Sequence, residues 1–171
     1  MMPQKVVCIV IVLLLLSDSP RGQLAGALEL LPRDRFLLAD NGPGPLPPGR
    51  TVVVLDDRLA SLPGRGDIPA RCPAILSGQC QAAAQYAQRA GLLPLDCGLS
   101  LRDTLTLSSS TESSAVVSLQ RPVARLDGEM VEPVEVPLAL TRRWEPFPLL
   151  CCAGALLLAG GPAALLEARS F

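Results

Sequence analysis

The sequence predicts a mainly β chain: a small antiparallel β-sandwich-like ectodomain with one short α-helix, flanked by an N-terminal signal peptide and a C-terminal hydrophobic segment. Three observations carry this expectation. Both ends are apolar runs, the short apolar pieces after Cys97 recur close to a period of two, and only one segment reads clearly as a helix. The boundaries that follow are a signal peptide over residues 1–27, a lumenal or extracellular β-rich domain over 28–145, a candidate transmembrane segment over 147–166 and a short tail over 167–171.

A chain of 171 residues has room for one ordinary domain and targeting segments. Hydrophobic residues make up 49% and charged residues 18%, a balance that leans towards membrane or secretory proteins. With three Phe, one Trp and one Tyr, the core must be built from Leu, Val and Ala. The net charge of −1 supplies no basic surplus to neutralise phosphates, which argues against nucleic acid as a partner.

At the N-terminus Lys5 precedes Val6 to Leu16, an apolar run of eleven, and Ala25-Gly26-Ala27 offers small residues for cleavage. Eleven residues are too few to span ~30 Å as a helix. At the C-terminus the twenty residues from Phe147 to Leu166 carry no charge, about the length needed to cross a bilayer. Gly160-Gly161-Pro162 interrupts that run, and Arg142-Arg143 stands before it on the side a cleaved signal would place in the lumen, against the positive-inside tendency. A single-pass anchor ranks first, a buried or aberrant helical tail second and a GPI-attachment signal third.

Between the ends, "ALELLPRDRFLLAD" suits strand pieces and "NGPGPLPPGR" is a loop. "TVVVLDD" is a β-branched strand whose terminal carboxylates, Asp56 and Asp57, point to opposite faces and meet solvent rather than a metal. The helix is "SGQCQAAAQYAQRAG", with Ser77 as its cap and Gly91 just past its end. "LSLRDTLTLS" and "AVVSLQRPVARLDGEMVEPVEVPLAL" follow as short strands, with Asp127-Gly128 as a hairpin turn and Pro133 and Pro137 restricting their stretches to edges. Ser110, in the hydroxyl-rich "SSSTESS", is a candidate for modification in the secretory pathway.

The cysteines divide by location. Cys72, Cys80 and Cys97 lie in the expected lumenal domain, where one bridge would leave the third thiol free or joined to another chain. Cys151 and Cys152 stand in the C-terminal run as lipidation candidates. With no histidine and no paired Cys-x-x-Cys motifs, neither a zinc site nor any other metal or cofactor is expected.

The same lack of histidine, with no carboxylate couple or phosphate-cradling loop, argues against an enzyme. The expected function is therefore a non-enzymatic, membrane-tethered protein-binding ectodomain of the endoplasmic reticulum or cell surface, as an accessory subunit of a larger complex. Arg65-Gly66-Asp67 supplies one alternative. In integrin recognition such an aspartate completes a divalent ion's oxygen shell and the arginine pairs with acidic groups. An integrin-binding ligand, secreted or shed, would use those three residues. The other alternative is a truncated or poorly constrained isoform without independent function.

Overall fold

The computed structural model describes residues 10–18, 22–39, 46–59, 68–168 and 171. In chain order the elements are β1 Ile11–Leu16, α1 Gln23–Leu28, β2 Phe36–Ala39, β3 Thr51–Leu55, β4 Pro73–Ser77, α2 Gln81–Ala90, β5 Leu93–Gly98, β6 Leu105–Ser110, β7 Ser114–Leu119, β8 Val123–Ala124, β9 Met130–Val131, β10 Val134–Ala139 and α3 Pro146–Glu167. Eight strands form one sheet in the order β10-β7-β6-β5-β4-β3-β1-β2. From β2 to β6 every neighbouring pair is parallel, while β7 runs antiparallel to both β6 and β10.

A mixed, mostly parallel sheet thus replaces the antiparallel sandwich that the sequence predicts. The physical reason lies in the apolar runs. A strand covered on both faces has no polar alternate, so it reads as a continuous hydrophobic stretch. In β1, Leu13 and Leu15 enter one core while Leu14 and Leu16 enter the other. In β3, Val52 and Val54 face the first core and Val53 and Leu55 the second. Of the run expected to serve as a leader, Ile11–Leu16 is here an inner strand, paired in register with Phe36–Ala39 on one side and Thr51–Leu55 on the other.

The helices complete three layers. α2 covers the second core with Ala83, Tyr86, Ala87 and Ala90, and ends at Gly91 in the left-handed conformation (φ 65°). Its cap is Cys80 rather than Ser77, which is the last residue of β4. α1 and α3 cover the first core.

α3 is long and apolar enough to cross a membrane, and 72% of its most apolar window is buried inside the domain. A helix apolar all round is buried in protein or in lipid, and here the sheet, α1 and the β8–β9 hairpin surround it. The break at Gly160-Gly161-Pro162 is matched to that setting. Gly161 adopts φ 70°, a conformation costly for any side chain. Pro162 has no N–H to give Leu158, so the Leu158 carbonyl accepts from the Leu126 N–H of the hairpin at 2.9 Å.

Candidate ligand-binding crevice

In an open α/β sheet, ligands bind outside the carboxyl ends of the strands, where the strand order reverses. That reversal falls at β1: the chain passes from β1 outward to β2, then returns to β3 on the other side. A crevice of about 740 Å3 opens at these strand ends, between the start of α3 and the loop that follows β5. Its size falls within the ~300–1,000 Å3 typical of small-molecule sites.

The floor is built by β1 and β3. The Ser17 hydroxyl donates to a carboxylate oxygen of Asp56, tying the two strand ends together, and the other oxygen accepts the Arg58 N–H at 3.1 Å. Asp56 is only 8% exposed and is occupied by these contacts. Asp57 is exposed on the crevice wall. Partial burial raises its carboxyl above the ordinary value, helped by the hydrogen bond and repulsion from Asp56 and opposed by Arg58. Asp18 and Glu145 add two more carboxylates from the end of β1 and the residue preceding α3.

The wall beside β5 is held by Asp103. Its carboxylate accepts the Ser100 N–H at 2.9 Å and lies directly over Gly78 and Gly98. A Cβ on either glycine would fall 2.0 or 2.3 Å from a carboxylate oxygen, so only glycine permits this approach. At the other end of the loop, Asp96 accepts both the N–H and the hydroxyl of Thr104, at 3.0 and 2.7 Å. Arg121 donates to the same hydroxyl at 3.1 Å. With the loop pinned at both ends, Leu99 is 66% exposed on the crevice wall and Leu101, two residues on, is 83% exposed.

None of the described site residues expected from sequence lines this crevice. Arg65, Gly66 and Asp67 lie outside the described residues. The described cysteines are all unbridged: Cys97 packs in the first core, whereas Cys72 is in the second, where its thiol donates to the Thr51 carbonyl at 2.8 Å. Burial pushes the Cys72 thiol up to about 11. Cys80 precedes α2. Cys151 and Cys152 face the first core, and burial raises Cys152 to about 12. Both are closed to acylation in this fold. Ser110 ends β6 and is exposed.

The crevice residues were half legible. "LLLLSD" and "VVVLDD" share one pattern, an apolar strand ending in acid, and both endings reach the crevice. Reading Asp56 and Asp57 as an isolated strand end missed that they meet the end of another. Among the described residues no group of three or more His, Cys, Asp or Glu could hold a metal ion. A scan against protein-family models and a search of curated proteins each found no match.

Proposed function

We propose that this chain is a small-molecule-binding α/β domain, with its ligand in the crevice at the carboxyl ends of β1, β3, β4 and β5. The observation that carries this reading is the position of a 740 Å3 crevice at the strand-order reversal of a parallel sheet. The proposed role is binding without turnover, in keeping with the sequence expectation. β1 belongs to the folded unit in this reading, so the mature chain keeps residues 11–16.

The test is a thermal-shift screen of the purified full chain against a panel of metabolites, repeated on Ser100→Trp, which fills the crevice from a half-buried lining position. A ligand at 100 times its dissociation constant stabilises by ~2.7 kcal/mol, a shift of several degrees for a domain of this size. Shifts seen with the native chain and lost in Ser100→Trp support the crevice. Shifts that survive the substitution, or a panel without effect, overturn it.

A second reading draws on the length and apolarity of α3. There the chain is a single-pass protein of the endoplasmic reticulum or cell surface that binds another protein, and α3 leaves the sheet for the bilayer. Carbonate extraction and N-terminal sequencing separate the two. A mature chain beginning at Leu28 and resisting extraction would favour the anchored form, while a chain retaining Ile11 and released by carbonate favours the crevice-bearing domain.

A further inference from the structure

Resting on that reading of the crevice, we infer that its ligand is an organic cation carrying an apolar group, with the charge among the carboxylates and the apolar part against the β5–β6 loop and the start of α3. The first ground is the sign of the walls. Asp18, Asp57 and Glu145 come from three separate parts of the chain, beside the buried and already partnered Asp56, against Arg58 as the one positive side chain among the described lining residues. A cleft lined by one sign of charge concentrates the opposite sign.

The second ground is the start of α3, which lines the crevice together with the start of the short α1. A helix N-terminus ordinarily presents free N–H groups to an anion. At the start of α3 that capacity is reduced: Pro146 and Pro148 have no N–H, which leaves Phe147 between them, and Glu145 places a carboxylate at the cap. A phosphate or carboxylate at this helix start would meet the Glu145 carboxylate and few N–H donors.

The third ground separates an organic cation from a metal ion. The carboxylates are spread around a volume far larger than an ion and form no set that could hold one. A small hard cation needs converging oxygens, whereas an ammonium on a carbon frame can satisfy dispersed ones. The frame has a place to lie: Leu99 on one wall, with Pro146, Phe147 and Pro148 on the other. The hydrogen bonds of Asp103 and Asp96 hold the loop so that Leu99 stays in water until something covers it.

Isothermal titration of the full chain with methylamine, benzylamine and 3-phenylpropylamine tests this, beside 3-phenylpropionate and 3-phenylpropanol as matched anion and neutral. Amine affinity is expected to rise from methylamine to benzylamine and then by about fifteenfold, about fourfold for each of two methylenes, from benzylamine to 3-phenylpropylamine, and the anion is expected not to bind. Asp57→Asn and Glu145→Gln, each confirmed folded by circular dichroism, should weaken the longest amine by about tenfold, a typical charge-assisted contact. Leu99→Ser should abolish the chain-length increment while sparing methylamine. If the anion or the neutral compound binds as tightly as the amine, and Ser100→Trp blocks it, the cation inference fails while the crevice stands as a site. If Ser100→Trp leaves amine binding unchanged, or no amine binds, the inference fails. If in addition no member of the metabolite panel shifts stability, the crevice reading falls with it.

Discussion

The sheet has two halves that meet at β5, and they bury themselves differently. In β1 and β3 every second residue enters the α1–α3 core and the residues between enter the α2 core. In β6, β7 and β10 one face supplies the α3 core through Leu105, Ala115, Val117, Leu119, Val136 and Leu138, while the alternate positions carry the buried polar Thr106 and Ser118, the half-buried Val116 and the exposed Glu135 and Pro137. Period-two patterning therefore marks a sheet with one covered face, and its absence marks one with two. Extending the pattern of the second half to the whole chain is what turns a three-layer α/β fold into an expected sandwich.

The largest effect should come from the helix that both halves share. Removing residues 147–171 uncovers the first core along β4, β5, β6 and β10 and strips α1 and β9 of their neighbour at once. The truncated chain is expected to lose its cooperative denaturant transition entirely. A preserved transition would mean that the described core does not depend on α3 and would favour its insertion elsewhere.

Next come paired substitutions that read the two halves directly. In β3, Val52→Ala and Val53→Ala should each cost ~2 kcal/mol, because the neighbours fill opposite cores and each leaves a cavity. In β7 the same pair of positions should split: Val117→Ala costs ~2 kcal/mol and the half-buried Val116→Ala less than ~1 kcal/mol. Urea titration of the four variants gives the comparison. A tolerant Val53 would remove the claim that β3 is covered on both faces.

At the seam, Gly98→Ala should cost ~1–2 kcal/mol by forcing the Asp103 carboxylate off the ends of β4 and β5. Asp103→Ser in the same chain shortens the obstructing side chain and should recover part of the loss. A double variant no more stable than Gly98→Ala alone would show that the glycine answers to something other than Asp103.

The smallest effect is electrostatic. Asp57 has a folded-state value above its ordinary 3.8, so its contribution to stability is present below that value and is lost as pH rises through the raised one. Asp57→Asn should flatten this part of the stability profile and raise stability at neutral pH, by less than ~1 kcal/mol because solvent screens an exposed carboxylate. A neutral-pH loss would reverse the assignment.

Several local elements were legible in the sequence pattern, although the fold class was not. β3 matches "TVVVL", α2 ends at the glycine marked for it, Asp127-Gly128 turns the β8–β9 hairpin, and Pro137 sits on the edge strand β10. What was not legible is concentrated in the two apolar runs and at the crevice. "IVLLLL" as a strand and "IVIVLLLL" as a leader have the same hydrophobicity and no period, so nothing local distinguishes them. α3 has the composition of a membrane span, and in this fold protein buries 72% of its most apolar window. The crevice depends on carboxylates from β1, β3 and the start of α3, which stand up to 127 positions apart (from Asp18 to Glu145) and meet only through strand order.

By itself, then, the sequence determined which segments are apolar, where the chain turns and which positions alternate, because those properties depend on neighbours within a few residues. Only the tertiary structure decided that the apolar runs at both ends belong to one core, that the sheet is mostly parallel and that dispersed acids line a single crevice. Each of those depends on which distant surface covers a given side chain, and burial by a distant partner leaves no local trace of who the partner is.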